Sequence, residues 1–178
     1  MNTIFEILKY TIPSIIVLIA SYSIVKGFLT SNIKQQQLSM LRDNQDVTMR
    51  LRLQAYERLV LFIERINPRQ LIPRVYDSSM NVAVLQHLLA QSIKSEFEHN
   101  LSQQIYVSKR VWDMVIGVKE HELNIINQIA QGMNPDAPAK DLHMRIVEYM
   151  LTSPEALPNE AALQLINDEA RSLLAQGV

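Results

Sequence analysis

The sequence lacks cysteine and has only four glycines among its 178 residues. Without cysteine the chain can hold no disulfide framework, no thiolate zinc site, no iron–sulfur cluster and no cysteine nucleophile. The glycines are too far apart to form a GxGxxG motif or a P-loop, since they stand at Gly27, Gly117, Gly132 and Gly177. A net charge of −1 gives no general attraction to nucleic acid, so no nucleic-acid partner is expected.

The strongest signal that is present is an apolar run near the N-terminus. Tyr10–Val25 carries no charge, and the longer segment Ile4–Leu29 has only three charged side chains, Glu6, Lys9 and Lys26. As a helix the uncharged part rises about 24 Å, and snorkelling lysines let the flanking turns complete a ~30 Å hydrocarbon core. We therefore predict a transmembrane anchor at residues 1–29. Its predicted anchor side chains are Tyr10, Ile12, Ile15, Ile16, Val17, Leu18, Ile19, Tyr22 and Val25.

Other interpretations of this run stay open. A cleaved signal peptide would begin with basic residues and have small residues before the cut, whereas here Glu6 offsets Lys9 and no clear A-x-A pattern follows. A core helix, an amphipathic surface helix, or a helix buried between the protomers of a soluble homo-oligomer are further alternatives. For an anchor, Lys26, Lys34 and Arg42 after the span favour a single pass through the cytoplasmic (inner) membrane, with the C-terminal body in the cytoplasm.

The sequence after the anchor predicts helices. Phe28–Ile66 contains neither proline nor glycine, which predicts a stalk or first body helix over residues 30–66. Ile33, Met40 and Val47 share one seam position of a heptad, but Gln37 and Asn44 occupy the other, which makes a poor coiled coil. We expect a semi-exposed stalk that partners help to stabilise.

Residues 67–178 predict a helical bundle, because prolines and capping residues separate apolar stripes of helical period. Pro68 and Pro73 end the stalk helix, and Asp77, Ser78 or Ser79 is expected to cap the next one. The following helices are predicted to start at Ser102, about Ala139 and Asn159, with Gly132 as a C-cap. The predicted fold is all-α, with an N-terminal transmembrane helix, a long stalk helix and a four- to five-helix body.

The sequence contains no strong catalytic constellation. Glu96 and His99 have the E-x-x-H spacing of di-iron carboxylate bundles, and Glu120-His121-Glu122 is a second cluster. Within one helical hairpin these two clusters lie about 20 Å apart, so solvated side chains are the better interpretation. There is no HExxH and no GxSxG. We expect no cofactor and no enzymatic activity, and keep Glu96 and His99 as weak metal candidates.

Two groups of residues are candidates for protein interfaces. Trp112, Ile116 and Leu123 lie on one of two adjacent apolar stripes in the predicted helix 102–131, where core packing is the alternative. Arg69 and Arg74, with Arg65, surround the proline-containing turn and could bind a phosphate or a partner carboxylate; a solvated basic turn is the alternative.

The stretch Ala55–Arg74 (AYERLVLFIERINPRQLIPR), behind a short N-terminal span, resembles a family of uncharacterised Bacteroidota proteins. The resemblance implies one membrane segment followed by an all-helical body, and no functional residue. The order of a span and then a polar helix is also similar to the peripheral-stalk b subunit of rotary ATP synthases, although the prolines at 68 and 73 depart from that pattern.

Together these features predict a membrane-anchored helical interaction protein, a scaffold or accessory subunit of a membrane complex. Its expected partners are membrane lipid and other protein subunits or a second copy of itself. One alternative is a membrane-tethered small enzyme or a ligand- or metal-binding helical bundle. Another is the soluble homo-oligomer with a buried N-terminal helix.

Overall fold

A computed structural model describes the backbone of residues 2–152 and 158–176. It describes the side chains of residues 15–37, 39, 40, 45–152 and 158–175. Within these ranges the chain forms six α-helices, one short 3-10 helix and no strand. The predicted all-α class is therefore confirmed. The helices are α1 Asn2–Ile66, α2 Pro68–Val75, α3 Val82–Asn100, the 3-10 helix Leu101–Ile105, α4 Lys109–Gln131, α5 Ala139–Thr152 and α6 Pro158–Gln176.

The chain divides into two compact units, residues 1–48 and residues 49–178, and the second is called the body below. The boundary lies within α1. The last part of that helix, residues 49–66, is therefore part of the body, whereas the predicted stalk, residues 30–66, contributes to both units.

The end of α1 belongs to the body because one of its faces is apolar. The buried residues recur at spacings of three and four, which keeps them on one side of the helix: Ala55, Tyr56, Leu59, Phe62, Ile63 and Ile66. Leu61 lies between them and is 53% exposed. Burying a large apolar side chain contributes about 1.5–3 kcal/mol, so this face is a large share of the stability of the body.

The remaining helices complete a single hydrophobic core. Helix α3 packs against α4 and α5, α4 also packs against α5 and α6, and α2 packs against α3 and α5. In α3 the residues Val82, Leu85, Leu89 and Ile93 are all buried on one face. In α4 Val111, Val115 and Val118 are fully buried.

The turn around the prolines differs from the prediction. Residues 68–75 form helix α2, whereas the prolines predict a turn at this place. The Asn67 side chain caps it by accepting a hydrogen bond from the Arg69 N–H (3.0 Å), and Pro68 occupies the first turn, where a missing N–H costs nothing. The cap predicted at Asp77–Ser79 for the next helix is wrong, because Asn81 caps α3 through the Val84 N–H (2.9 Å).

Two further helix starts were predicted wrongly. Ser102 lies in the 3-10 helix, and α4 begins at Lys109 with Ser108 as its cap. Ile105 lies within the predicted helix 102–131, but it is outside α4 and 73% exposed. Asn159 lies inside α6, with its side chain buried, rather than at the cap.

A polar network ties α1, the start of α4 and α6 together inside the body. The Glu169 carboxylate of α6 accepts hydrogen bonds from the Tyr56 hydroxyl (3.1 Å) and the Ser108 hydroxyl (2.7 Å). Arg52 of α1 donates from Nε to the Tyr106 carbonyl (3.2 Å). Burial raises the pKa of Tyr56; the Arg52 hydrogen bond opposes this rise and Glu169 adds to it. The Tyr56 hydroxyl therefore keeps the proton that it donates to Glu169.

Candidate interaction surfaces

The first candidate surface is the apolar part of α1. Ile15–Gln37 is long and apolar enough to cross a membrane, with a mean hydropathy of 1.5, and none of its most apolar stretch is buried by the rest of the chain. Its 23 residues rise about 34 Å as a helix, which matches a hydrocarbon core. A core helix of the chain itself would be mostly buried, and this one is exposed. A signal sequence near the N-terminus would be equally long and apolar.

The predicted anchor side chains can be placed as far as the structure describes them. Tyr10 and Ile12 lie outside the described side chains. The other seven are between 55% and 70% exposed: Ile15, Ile16, Val17, Leu18, Ile19, Tyr22 and Val25. A contiguous apolar surface of this kind marks an interaction with lipid or with protein, because water contact with it is unfavourable.

A second exposed apolar stripe follows along α1. Ile33, Met40 and Val47 are 53%, 66% and 57% exposed, and Leu51 is 41% exposed. Other described side chains between them, such as Gln37 and Gln45, are polar and exposed. Three residues of this stripe, Ile33, Met40 and Val47, are those that share one seam position in the heptad pattern of the sequence.

A groove of about 600 Å³ lies in the body between the end of α1, α2 and α3. The weak metal candidates Glu96 and His99 line it together with Arg65 and Arg74. Glu96 forms an ion pair with Arg65 (3.4 Å), so its carboxylate already has a cationic partner. Among the described residues no group of three or more His, Asp or Glu side chains could hold a metal ion.

The arginines predicted as an anion site have different environments. Arg74 donates from Nε to the Gln70 carbonyl (3.2 Å) and from Nη2 to the Arg65 carbonyl, near the ends of α2 and α1. The Arg65 carbonyl is one of the last of α1, where carbonyls have no intrahelical partner, so Arg74 caps the end of that helix. Arg69 has an exposed side chain on α2. The structure therefore gives Arg74 a clear structural role beside any role in binding.

The candidate interface residues of α4 lie largely inside the body. Leu123 is 7% exposed and belongs to the hydrophobic core, while Trp112 and Ile116 are half-buried. The Trp112 ring stacks on Phe97 with the ring centroids 5.6 Å apart. The Lys119 amine lies 4.3 Å from the centre of the Phe97 ring, a cation–π contact that covers this aromatic cluster.

The site that sequence reasoning missed is a buried polar pair between α4 and α6. Glu122, interpreted from sequence as a solvated residue of the 120–122 cluster, is 3% exposed; that interpretation is wrong. Its Oε1 accepts a hydrogen bond from Asn159 Nδ2 (2.9 Å), and Asn159 Oδ1 is buried with no hydrogen-bond partner among the described residues. Burial raises the pKa of Glu122 to about 7, against the lowering effect of the Asn159 hydrogen bond.

A signal for this burial is present in the sequence. Glu122 comes four residues after Val118 and four residues before Ile126, both fully buried, so it lies on the apolar stripe of α4. A carboxyl group at such a position has to be neutral or paired, because an ionised and unpaired buried carboxylate is very costly.

A further apolar surface lies on α5. Met144, Val147 and Leu151 are 59%, 37% and 75% exposed, and they lie on one face of the helix. They line a groove of about 630 Å³ with polar side chains such as Arg145 and Glu148. This face is not evident from the sequence, because its apolar positions adjoin buried ones such as Ile146.

These surfaces define an all-helical protein in which an exposed apolar N-terminal helix accompanies a compact helical body. Residues 2–173 match the model of a family of unknown function, DUF7935, and the chain belongs to that family. The match includes both the apolar helix and the body. No curated protein and no solved structure matches the chain.

Proposed function

We propose that this protein is a single-pass, membrane-anchored helical interaction protein that serves as a scaffold or accessory subunit of a membrane complex. The observation that carries the proposal is the apolar helix of residues 15–37, whose most apolar stretch is exposed among the residues that the structure describes. The family match supports it, because the matched residues 2–173 include this helix together with the body. The resemblance of Ala55–Arg74 to uncharacterised Bacteroidota proteins supports the inner membrane as the membrane that this helix spans.

The charge pattern supports a span at Ile4–Leu29. If Ile15–Gln37 crossed the membrane, Lys26 would lie at its centre, where a lysine costs about 2.5–3.5 kcal/mol. A span over Ile4–Leu29 instead brings Lys26 to one interface, within reach of water. The Lys26 amine lies 5.8 Å from the centre of the Tyr22 ring, and this pair of residues is of the kind found at membrane interfaces.

The orientation follows from the flanking basic residues. Lys26 lies at the end of this span and Lys34 and Arg42 follow it, against Lys9 near its start. Basic residues are enriched on the cytoplasmic side of membrane spans, which favours a cytoplasmic body. The body would then present its exposed α5 face and the groove between α1, α2 and α3 to cytoplasmic partners.

A scaffold must have partners in the membrane. We expect the full-length tagged protein, extracted from native membranes with a mild detergent, to purify with the same additional protein in fixed proportion in repeated preparations. The chain without residues 1–29 is the matched control, and we expect it to leave the membrane fraction and lose that protein. Recovery of the full-length chain with no other protein would contradict the scaffold role.

A further inference from the structure

We propose that the stalk segment, residues 33–51 of α1, pairs in parallel with the same segment of a second copy of this chain. The contact would run along the stripe Ile33, Met40, Val47 and Leu51, called the stalk stripe below. This inference rests on the proposed membrane anchor, because the anchor brings two copies together in one orientation.

The stalk stripe has the geometry of a helix–helix seam. Ile33, Met40 and Val47 are spaced by seven residues, so each is rotated by only ~20° from the one before it on a straight α-helix. Leu51 follows Val47 by four residues and lies beside it. All four side chains are more than 40% exposed, so they form an apolar line along a polar helix.

A second copy suits this surface because the neighbouring positions are complementary to themselves. With Ile33, Met40 and Val47 at the d positions of a heptad, the sequence register puts Gln37, Asn44 and Leu51 at the a positions. In a parallel pair in register, each amide meets its own counterpart and can both donate and accept a hydrogen bond. Polar a positions of this kind fix the register of two-stranded coiled coils.

The charges beside the seam do not oppose the pairing. In a parallel pair, a g residue lies near the e residue five positions later in the partner. By sequence, the charged g residues Asp43 and Arg50 would face Thr48 and Ala55, and Lys34 at an e position would face Leu29. No two like charges meet, so the same surface can approach itself without repulsion.

The length of the stripe limits the pairing to the membrane. Four apolar residues over less than three heptads are too few for a stable soluble coiled coil, which needs three to four heptads. Two anchored copies are held at a high effective concentration and with their helices parallel. A polar helix segment is also marginal on its own in water, so each copy stabilises the other. We therefore expect pairs in membranes and no pairing of the same segment without the anchor.

The absence of cysteine makes cross-linking a clean test, because a single introduced thiol is the only one in the chain. The stripe variants are Met40→Cys and Val47→Cys, and the controls are Ser39→Cys and Gln45→Cys, whose side chains are also exposed but point away from the seam. Each full-length variant is oxidised in native membranes, and the disulfide-linked dimer is measured on non-reducing gels. Because a disulfide needs Cβ atoms within about 3.5–4.5 Å, we expect about tenfold more dimer from the stripe variants than from the controls.

Each result has a defined meaning. Equal dimer from all four variants, or more from the controls, would show random encounter or a different seam and would overturn the proposal. If the variants stay in the membrane pellet but give no homodimer, the pairing is overturned and the anchor is left intact. A specific disulfide-linked adduct with another protein instead of the homodimer would have the same meaning. The stripe variants could also give the dimer specifically while an alkaline wash releases the chain from the membrane. That result would overturn the anchor and the claim that pairing depends on it, and it would show a pairing that needs no membrane.

Discussion

Replacing Phe62 with alanine is expected to lower the free energy of unfolding of the body by about 3–5 kcal/mol. Phe62 is 1% exposed, and its ring lies 6.0 Å from that of Phe97 across the core. Truncation would leave a cavity lined by α1 and α3 residues, because a packed interior collapses only in part. Chemical denaturation of residues 49–178, monitored by circular dichroism, measures this loss in the free energy of unfolding.

The matched control for this prediction is Leu61→Ala on the same turn of α1. Leu61 is 53% exposed, so its truncation is expected to change the free energy of unfolding by less than about 0.5 kcal/mol. Similar small effects at both positions would mean that the end of α1 does not pack in the body. The division of the chain at residues 48 and 49 would then be wrong.

The second large effect is expected from Glu122→Gln and depends on pH. Burial raises the pKa of Glu122 from 4.5 to about 7, so between these values the folded chain holds a proton that the unfolded chain releases. Stability is therefore full below about pH 4.5 and falls as the pH rises through 7. At about 1.4 kcal/mol per pKa unit the loss amounts to about 3 kcal/mol.

Glutamine keeps the shape of the side chain but cannot ionise. We expect the Glu122→Gln body to be about 3 kcal/mol more stable than the parent at pH 8 and to match it within about 1 kcal/mol near pH 4.5. The neighbouring exposed Glu120 provides the control, since Glu120→Gln is expected to follow the parent at both pH values. Denaturation curves of Glu122→Gln and the parent that stay parallel from pH 4.5 to pH 8 would show that Glu122 is not held neutral by burial.

Much of the fold could be predicted because each helix carries its own signal. The α3 face of Val82, Leu85, Leu89 and Ile93 has a period of three to four residues, which only a helix can bury as one stripe. The same period distinguishes the end of α1 from a strand, although apolar and polar residues alternate strictly over Val47–Leu53, a pattern typical of strands. Prolines and polar capping residues then limit where helices can begin and end.

The errors lie where tertiary contacts choose between equivalent local signals. Ser102 and Ser108 are both good N-caps by residue type. Ser108 caps α4, with its hydroxyl accepting from the Val111 N–H (3.1 Å) and donating to Glu169, which lies 61 residues later in the chain. Sequence spacing alone contains no information on that contact.

The buried pair was missed for a similar reason. Glu122 is flanked by Glu120 and His121, a composition typical of a solvated helix face. Its burial depends on α6, which packs against α4 and places the Asn159 amide against the carboxyl group. By residue type Asn159 is a good helix cap, so the sequence gives no reason to pair its amide with Glu122.

The most direct test of the proposed anchor is alkaline carbonate extraction of membranes that contain the full-length chain. An integral span resists this wash, because its apolar side chains would otherwise meet water. We expect the full-length protein to stay in the pellet, and the chain lacking residues 1–29 to remain soluble and folded. Release of the full-length protein, together with aggregation of the shortened chain, would contradict the anchor and favour a soluble oligomer that buries the N-terminal helix between protomers.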